Sequence, residues 1–110
     1  MVQIETENAL ENLDEIFSVK GIGACFIGPW DLTMSLGIFR DFQHPKYENA
    51  LDRVLTACRR WGVAPGIHCS EENINENIER GFQFCALAND YGFLLKGARE
   101  ALKKVRGWRH

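Results

Sequence analysis

The chain has 110 residues, a formal net charge of −2, 45% hydrophobic residues and 25% charged residues. This apolar content excludes an intrinsically disordered chain, and the nearly balanced charge excludes the basic surface of a nucleic-acid-binding protein. We expect neither a membrane span nor a signal peptide, because no apolar run is long enough and residues 1–11 lack a cationic head. The length predicts one domain, residues 1–110.

Four short apolar runs predict buried β-strands, and each is followed by a segment with apolar residues at helical spacing. The predicted strands are residues 2–4, 24–27, 64–67 and 84–87. The helical segments contain residues 10–17, 50–61, 74–78 and 94–105, the third with only two apolar anchors. Strands that are apolar on both faces and alternate with helices predict an α/β fold with a parallel sheet.

Residues that favour helix ends lie between these segments. The predicted N-caps are Thr6 and Ser70, and the predicted C-terminal caps are Gly21, Gly62 and Gly81. Residues 36–45 form the one long predicted loop. The basic residues of the tail 103–110 complement the dipole at the end of the last helix, and Trp108 is interpreted as a packing residue or helix-end anchor.

Four βα units fit two architectures. They form an open four-stranded parallel sheet, or they represent half of a (β/α)₈ TIM barrel, which has eight such units. Composition does not distinguish these alternatives.

The spacing and the apolar surroundings of the four cysteines predict the redox state of the cellular compartment. None forms a C-x-x-C pair, and each lies in an apolar segment, at positions 25, 58, 69 and 85. We therefore expect four buried thiols in a reducing compartment, which is typical of a cytoplasmic protein, although the spacing leaves a disulfide open.

Two acidic residues directly follow consecutive predicted strands. Glu5 follows the first strand and Asp31 follows the second. Consecutive parallel strands are usually neighbours, so the two carboxylates are predicted to lie close together and to repel each other unless a proton or cation lies between them. A divalent ion that prefers oxygen ligands, Mg²⁺ or Mn²⁺, is one interpretation, and ordinary helix caps are the other.

The segment Gly28–Asp31 predicts a sharp turn. Gly28 allows close approach of a ligand to the backbone, and the amides of Trp30 and Asp31 could bind a carboxylate or a phosphate. A purely structural βα turn is the alternative.

Three further polar residues lie near strand ends. His68 is predicted to line the mouth of the sheet in a hydrogen bond to a neighbour, rather than to act as a base. We interpret Cys69 as structural and Asp90 as a cap of the last helix.

Several of these motifs together resemble the second half of the HpcH/HpaI aldolase family. They are Val2–Thr6 (VQIET), Phe26–Thr33 (FIGPWDLT) with Ser35–Gly37, Ala64–Ile67, and Gly81–Phe84 leading to Asn89 and Asp90. The resemblance extends to about Val105. It implies the C-terminal half of a (β/α)₈ barrel.

The resemblance also implies a function. Members of this family are metal-dependent aldolases that cleave a 4-hydroxy-2-oxo acid to pyruvate and an aldehyde. By resemblance, Glu5 and Asp31 bind the divalent ion (Mg²⁺ or Mn²⁺, with Co²⁺ as a further candidate). The 2-oxo acid is then expected to contact Gln3 and the turn formed by Gly28, Trp30 and Asp31.

Departures from the family pattern limit this expectation. The chain supplies four of the eight units, and no residue matches the family's catalytic histidine and arginine, so no catalytic acid–base residue is assigned. We expect the isolated chain to be inactive or nearly so, and a complementing half-barrel or a second copy to restore a site. Trp30 is bulky where many relatives have a small residue, which could change the preferred aldehyde.

The same family resemblance implies a mode of assembly, and two rival functions remain open. Family members exchange their last helix between subunits in hexamers, and residues 91–105 could do so in a homo-oligomer. One rival is a non-catalytic half-barrel that acts as a dimerising or scaffolding module. The other is an acyl-CoA lyase related to the citrate lyase β-subunit, for which we find no CoA-binding surface.

Overall fold

A computed structural model describes residues 1–107 as four parallel strands in one sheet with helices along the chain. The strands are adjacent in the order of the sequence. They are β1 (Val2–Ile4), β2 (Ala24–Ile27), β3 (Ala64–Cys69) and β4 (Phe84–Leu87). All four predicted strands are therefore confirmed, and β3 extends two residues further than predicted. Trp108 and the last two residues of the basic tail lie outside the described residues.

Helices follow each strand, and two of the three connections between strands contain two helices. The helices are α1 (Glu7–Glu11), α2 (Leu13–Phe17), α3 (Pro29–Ser35), α4 (Pro45–Trp61), α5 (Ile74–Arg80) and α6 (Asp90–Lys103). No helix within residues 1–107 is both long enough and apolar enough to cross a membrane.

The core lies on one face of the sheet. Ile4, Ile27 and Ile67 are in register across the first three strands, and each is 0% exposed. Side chains from the helices, α4 above all, complete this core. Burial of branched aliphatic side chains on adjacent parallel strands is what fixes the register, because a slip of one residue would turn them to the other face.

The opposite face of the sheet is less covered. Gln3, Phe26, Gly66 and Phe84 are in register across all four strands on this face. The rings of Phe26 and Phe84 meet edge to face across Gly66, with centroids 5.8 Å apart. Phe84 nevertheless stays 53% exposed, and Gln3 is also exposed. This exposed layer is typical of a sheet face that lacks part of its packing.

The outer edges of the sheet and the last helix are also unpartnered within the described part of the chain. β1 pairs only with β2, and β4 pairs only with β3. α6 has no buried residue, and its Tyr91 and Leu94 are among the most exposed large apolar side chains. A parallel edge with free backbone groups is a template for pairing with another strand.

The first predicted helical segment is two short helices, not one continuous helix. It is divided at Asn12, whose backbone (φ −116°, ψ 22°) is not helical. The Asn12 side-chain amide donates to the carbonyl of Asn8 and to its Oδ1, at 2.8 and 3.1 Å. Asparagine side chains compete with the helical hydrogen-bond pattern in this way, and the apolar periodicity does not record it.

The structure confirms some of the predicted caps and contradicts others. Thr6 Oγ1 accepts a hydrogen bond from the amide of Ala9, and Gly62 and Gly81 end their helices in the left-handed conformation, as predicted. Ser70 is not an N-cap, because α5 begins later, after Asn73. The Asn73 side chain instead accepts from the Ser70 amide at 2.8 Å, which closes a turn before the helix.

Two more cap predictions are wrong by one to three residues. Ser18, not Gly21, caps the C-terminus of α2, and Gly21 (φ 98°) serves the turn that follows. Asn89, not Asp90, is the N-cap of α6, because its side chain accepts from the Gly92 amide at 2.6 Å. Asp90 is the first helical residue, where its charge favours the helix dipole.

α3 is a helix that the apolar spacing of the sequence does not predict. The segment Gly28–Asp31 is a turn only at Gly28, and Pro29 begins seven helical residues. Proline at the first helical position and an acid in the first turn, here Asp31, were the signals available for it.

The prediction of four buried thiols is correct for three of them. Cys25, Cys58 and Cys69 are buried, Cys85 is half-buried, and all four are free. Cys25 Sγ and Cys58 Sγ are in contact at 3.5 Å across the interface between β2 and α4. The reducing compartment stays a prediction.

Candidate functional site

The carboxylates of Glu5 and Asp31 converge at the carboxyl edge of the sheet. Glu5 directly follows β1, and Asp31 lies in the first turn of α3, which follows β2. A methyl group on the Cα of Gly28 would lie 3.2 Å from Oε2 of Glu5 and 3.7 Å from Oδ2 of Asp31. The two oxygens therefore flank the same glycine and are at most about 7 Å apart.

Glu5 is not a helix cap, so the interpretation of both acids as helix caps is wrong for Glu5. Thr6 caps α1, and Glu5 precedes that cap. Asp31 contributes its charge to the first turn of α3, whose N-cap is Gly28. Neither carboxylate belongs to the ion pairs among residues 1–107, which involve Asp14, Glu48, Glu71 and Glu76. The pair therefore has no cationic side-chain partner in an ion pair among residues 1–107.

Two carboxylates are too few to enclose a metal ion by themselves. Within residues 1–107, no three His, Cys, Asp or Glu side chains lie close enough together to hold one. An ion such as Mg²⁺ usually keeps one or two carboxylates and fills its other positions with water or substrate oxygens. The arrangement around Gly28 fits that type of site, because the glycine leaves room where a side chain would press on the Glu5 carboxylate.

The turn at Gly28 also presents free backbone amides. Pro29 has no N–H, and the first intrahelical hydrogen bond runs from the Leu32 amide to the Gly28 carbonyl, at 2.9 Å. The amides of Trp30 and Asp31 therefore precede the bonded part of α3 and have no partner within the helix. Such amides can donate to an anionic group next to the two carboxylates.

Gln3 lies in β1, two residues before Glu5. Its side chain is exposed, and its register neighbour on β2 is Phe26. The structure thus places Gln3 on the less covered face of the sheet.

His68 lies in β3 and is half-buried, in agreement with its predicted position at the mouth of the sheet. Its Nε2 is 2.7 Å from the carbonyl oxygen of Ala88. Because a carbonyl only accepts, Nε2 carries the proton in this bond. The predicted hydrogen bond to a neighbour is confirmed.

Cys69 has the environment of a structural thiol. Its side chain is buried and accepts a hydrogen bond from the Asn77 side-chain amide at 3.4 Å. Burial raises the pKa of the Cys69 thiol to about 11, so the thiol stays protonated at neutral pH.

A cavity of about 510 Å³ lies at the carboxyl ends of β3 and β4, and its lining reaches Pro29 and Trp30 at the start of α3 but includes neither Glu5 nor Asp31. Its lining also includes His68, Asn89, Phe93 and Lys96. Lys96 is neutralised by Glu71, at 2.7 Å.

Arg40 contacts Trp30 at the start of α3, and no motif of the sequence predicts this contact. The Cζ of Arg40 is 4.4 Å from the centroid of the Trp30 ring. Phe39 meets the same ring edge to face, at 6.0 Å. No sequence signal marks this contact, because it depends on the path of the loop after α3.

Comparisons with known proteins identify the family of the chain. The HpcH/HpaI aldolase/citrate lyase family matches residues 1–96. The chain is 35% identical to a hydroxypyruvate/pyruvate aldolase of Paraburkholderia phytofirmans over 96% of the chain and 41% of the relative. It is 38% identical to a 4-hydroxy-2-oxo-heptane-1,7-dioate aldolase of Escherichia coli over 93% of the chain and 39% of the relative.

A solved structure shows the same fold. The HpcH/HpaI aldolase of Desulfitobacterium hafniense superimposes with a TM-score of 0.87 at 30% identity, over 98% of this chain and 44% of that one. The chain thus spans about two-fifths of the length of the relatives that it matches. By its sequence and by its four parallel βα units, the chain belongs to the HpcH/HpaI aldolase/citrate lyase family.

Proposed function

We propose that the chain forms the metal-binding half of a class II aldolase, which cleaves a 4-hydroxy-2-oxo acid to pyruvate and an aldehyde. The observation that carries this proposal is the convergence of the Glu5 and Asp31 carboxylates around Gly28, without a cationic partner among residues 1–107. Family membership supports the reaction class, since two relatives are named as aldolases of 2-oxo acids.

Glu5 and Asp31 would hold the divalent ion, Mg²⁺ or Mn²⁺, with Co²⁺ as a further candidate. When bound, such an ion acts as a Lewis acid on the keto oxygen of the 2-oxo acid. The oxygen-only donor set favours these ions over softer metals that prefer thiolate or imidazole.

The remaining residues of the site would orient the substrate. The free amides of Trp30 and Asp31 donate to its carboxylate, and Gly28 lets that group approach the backbone. Gln3 would also contact the substrate. In the cleavage, the C4 hydroxyl loses its proton, the C3–C4 bond breaks to release the aldehyde, and C3 takes up a proton. We assign neither proton transfer to a residue of this chain, and a complementing half-barrel would supply those groups.

Titration of the full chain with Mn²⁺, followed by electron paramagnetic resonance, tests the proposal. We expect one Mn²⁺ per chain and a change in its spectrum on addition of pyruvate. Turnover of a 4-hydroxy-2-oxo acid by the chain alone should be absent or very slow, with EDTA as the control for metal. Absence of Mn²⁺ binding would contradict the proposal, and rapid EDTA-sensitive turnover would contradict the assignment of the proton transfers to another half-barrel.

Gly28→Ala should weaken Mn²⁺ binding about 10-fold with little loss of stability. The added methyl lies 3.2 Å from Oε2 of Glu5, which is the end of a flexible side chain and can move away. Moving this oxygen increases its distance from Oδ2 of Asp31, so the two carboxylates are less well placed to share one ion. Mn²⁺ titration and thermal unfolding of the variant measure the two effects. Unchanged Mn²⁺ affinity would show that the two carboxylates do not act together at this glycine.

The open edges of the sheet predict association. We propose that the free edge of β1 or of β4 pairs with a second copy or with a complementing half-barrel, since both edges leave backbone groups unpaired. Light scattering over a range of concentrations should therefore show a mass above that of the monomer. A strictly monomeric species at high concentration would contradict this proposal.

We further propose a cytoplasmic location, because free thiols such as Cys25 and Cys58 persist in reducing compartments.

A further inference from the structure

We propose that Cys25 and Cys58 form a redox-active pair, which a hydroperoxide converts reversibly into a disulfide that links β2 to α4. The inference is independent of the proposed function, since it requires neither a metal ion nor a 2-oxo acid. It assigns an oxidative modification site to the chain and names the class of oxidant.

The two sulfur atoms are already in contact within the core. Cys25 lies in β2 and Cys58 lies in α4, and both side chains are buried. Their Sγ atoms are 3.5 Å apart. The sulfur atoms of a disulfide are about 2.05 Å apart, so the two must approach each other by roughly 1.5 Å, a displacement that two side chains can share.

A cavity of about 440 Å³ gives a small molecule access to the pair. Cys58 and Arg59 line this cavity, together with Gly23 and Pro65. Pro65 is the register neighbour of Cys25 on β3, so the wall of the cavity also includes the residue beside Cys25. Hydrogen peroxide is little larger than water, and a cavity of this volume admits it.

One thiol of the pair loses its proton more easily than the other. The Cys58 S–H donates to the Cys25 sulfur, and this bond lowers the pKa of the Cys25 thiol and raises the pKa of the Cys58 thiol. The first thiolate therefore forms at Cys25, and the thiolate is the nucleophilic form of cysteine. The positive charge of Arg59 favours the later deprotonation of Cys58.

The oxidation proceeds in two steps. The thiolate attacks one oxygen of the hydroperoxide, the O–O bond breaks, and a sulfenic acid forms while the departing oxygen takes up a proton. The second thiol then loses its proton and attacks the sulfenic sulfur, so that the S–S bond forms and the S–O bond breaks to release water. Two thiols and one hydrogen peroxide thus give one disulfide and two waters, and two electrons pass from sulfur to oxygen.

Peptide mapping of the full, folded chain tests the pairing. The reduced chain is treated with hydrogen peroxide, its remaining thiols are alkylated, and it is digested with trypsin without reductant for mass spectrometry. The four cysteines lie in four different tryptic peptides, residues 21–40, 54–59, 61–80 and 81–96. We expect peptide 21–40 to be joined to peptide 54–59 and dithiothreitol to separate them. A different pair of peptides in its place, or no cross-link, would overturn the inference.

The disulfide should also stabilise the chain, because it closes a loop between residues 33 positions apart. The oxidised chain is expected to unfold at a temperature at least about 5 °C above that of the reduced chain, and dithiothreitol should reverse the shift. An oxidised chain that gains no thermal stability would show that the disulfide does not hold β2 on α4.

Three alanine variants separate this pair from the other thiols. Cys25→Ala and Cys58→Ala should each abolish the cross-link and the rise in unfolding temperature. Cys69→Ala removes another buried thiol and should keep both, so their loss in this control would contradict the assignment. If a variant does not fold, the peptide map of the wild-type chain still decides the inference.

Discussion

Glu5→Gln and Asp31→Asn are each expected to weaken Mn²⁺ binding by at least about 100-fold. Both carboxylates flank Gly28, so each substitution removes one of the two charged donors of the proposed site and replaces it with a weakly coordinating amide. Neither side chain supports the fold through an ion pair within residues 1–107, so the variants should unfold at nearly the wild-type temperature. Titration followed by electron paramagnetic resonance measures the affinity.

Matched controls exist on exposed helical surfaces. Glu11→Gln on α1 and Asp52→Asn on α4 make the same chemical changes at exposed positions. Both should bind Mn²⁺ like the wild-type chain. If either control loses as much affinity as its partner variant, or if both site variants keep theirs, the carboxylate pair is not the metal site.

Gly66→Ala is expected to lower the free energy of unfolding by about 2–3 kcal/mol, the range seen for overpacked cores. A Cβ at this position would lie 2.9 Å from the carbonyl oxygen of Cys25 and 3.0 Å from that of Phe84. Both are backbone atoms of the neighbouring strands, so the clash cannot be relieved by a side-chain rotation. The same methyl would press on the ring of Phe84, which meets Phe26 across the glycine.

Gly23→Ala is the control for this stability measurement. A methyl at Gly23 has nothing within 4 Å, and the backbone there does not require a glycine conformation. Its unfolding free energy should stay within about 0.5 kcal/mol of the wild-type value. Urea unfolding of both variants checks the comparison, and equal stability of the two would show that β2 and β4 do not approach β3 as closely as described.

The strands were predictable because their signal is local. Ile4, Ile27 and Ile67 lie in short apolar runs, and burial on both faces of a parallel sheet demands such runs. The same alternation of strand and helix predicts that Glu5 and Asp31 lie at one edge, since parallel neighbours end together. Their approach to Gly28 follows that prediction in the structure.

Some of the errors in the predicted helix ends come from polar side chains that bond to the backbone. Asn12 divides the first helical segment, and Asn73 takes over the position predicted for Ser70. A single polar side chain changes these ends through one or two hydrogen bonds, whereas the apolar spacing around it stays the same. Helix ends are therefore decided by bonds that periodicity does not report.

The sequence by itself determined the parallel α/β architecture, its four strands and the pair of acids that follows two of them, because each depends on neighbours a few residues away. Only the tertiary structure decided that Arg40 lies on Trp30 and that Cys25 contacts Cys58. These contacts depend on how the loop after α3 folds back and how α4 lies on the sheet. Such long-range packing is a cooperative property of the whole core, and no local pattern of residues encodes it.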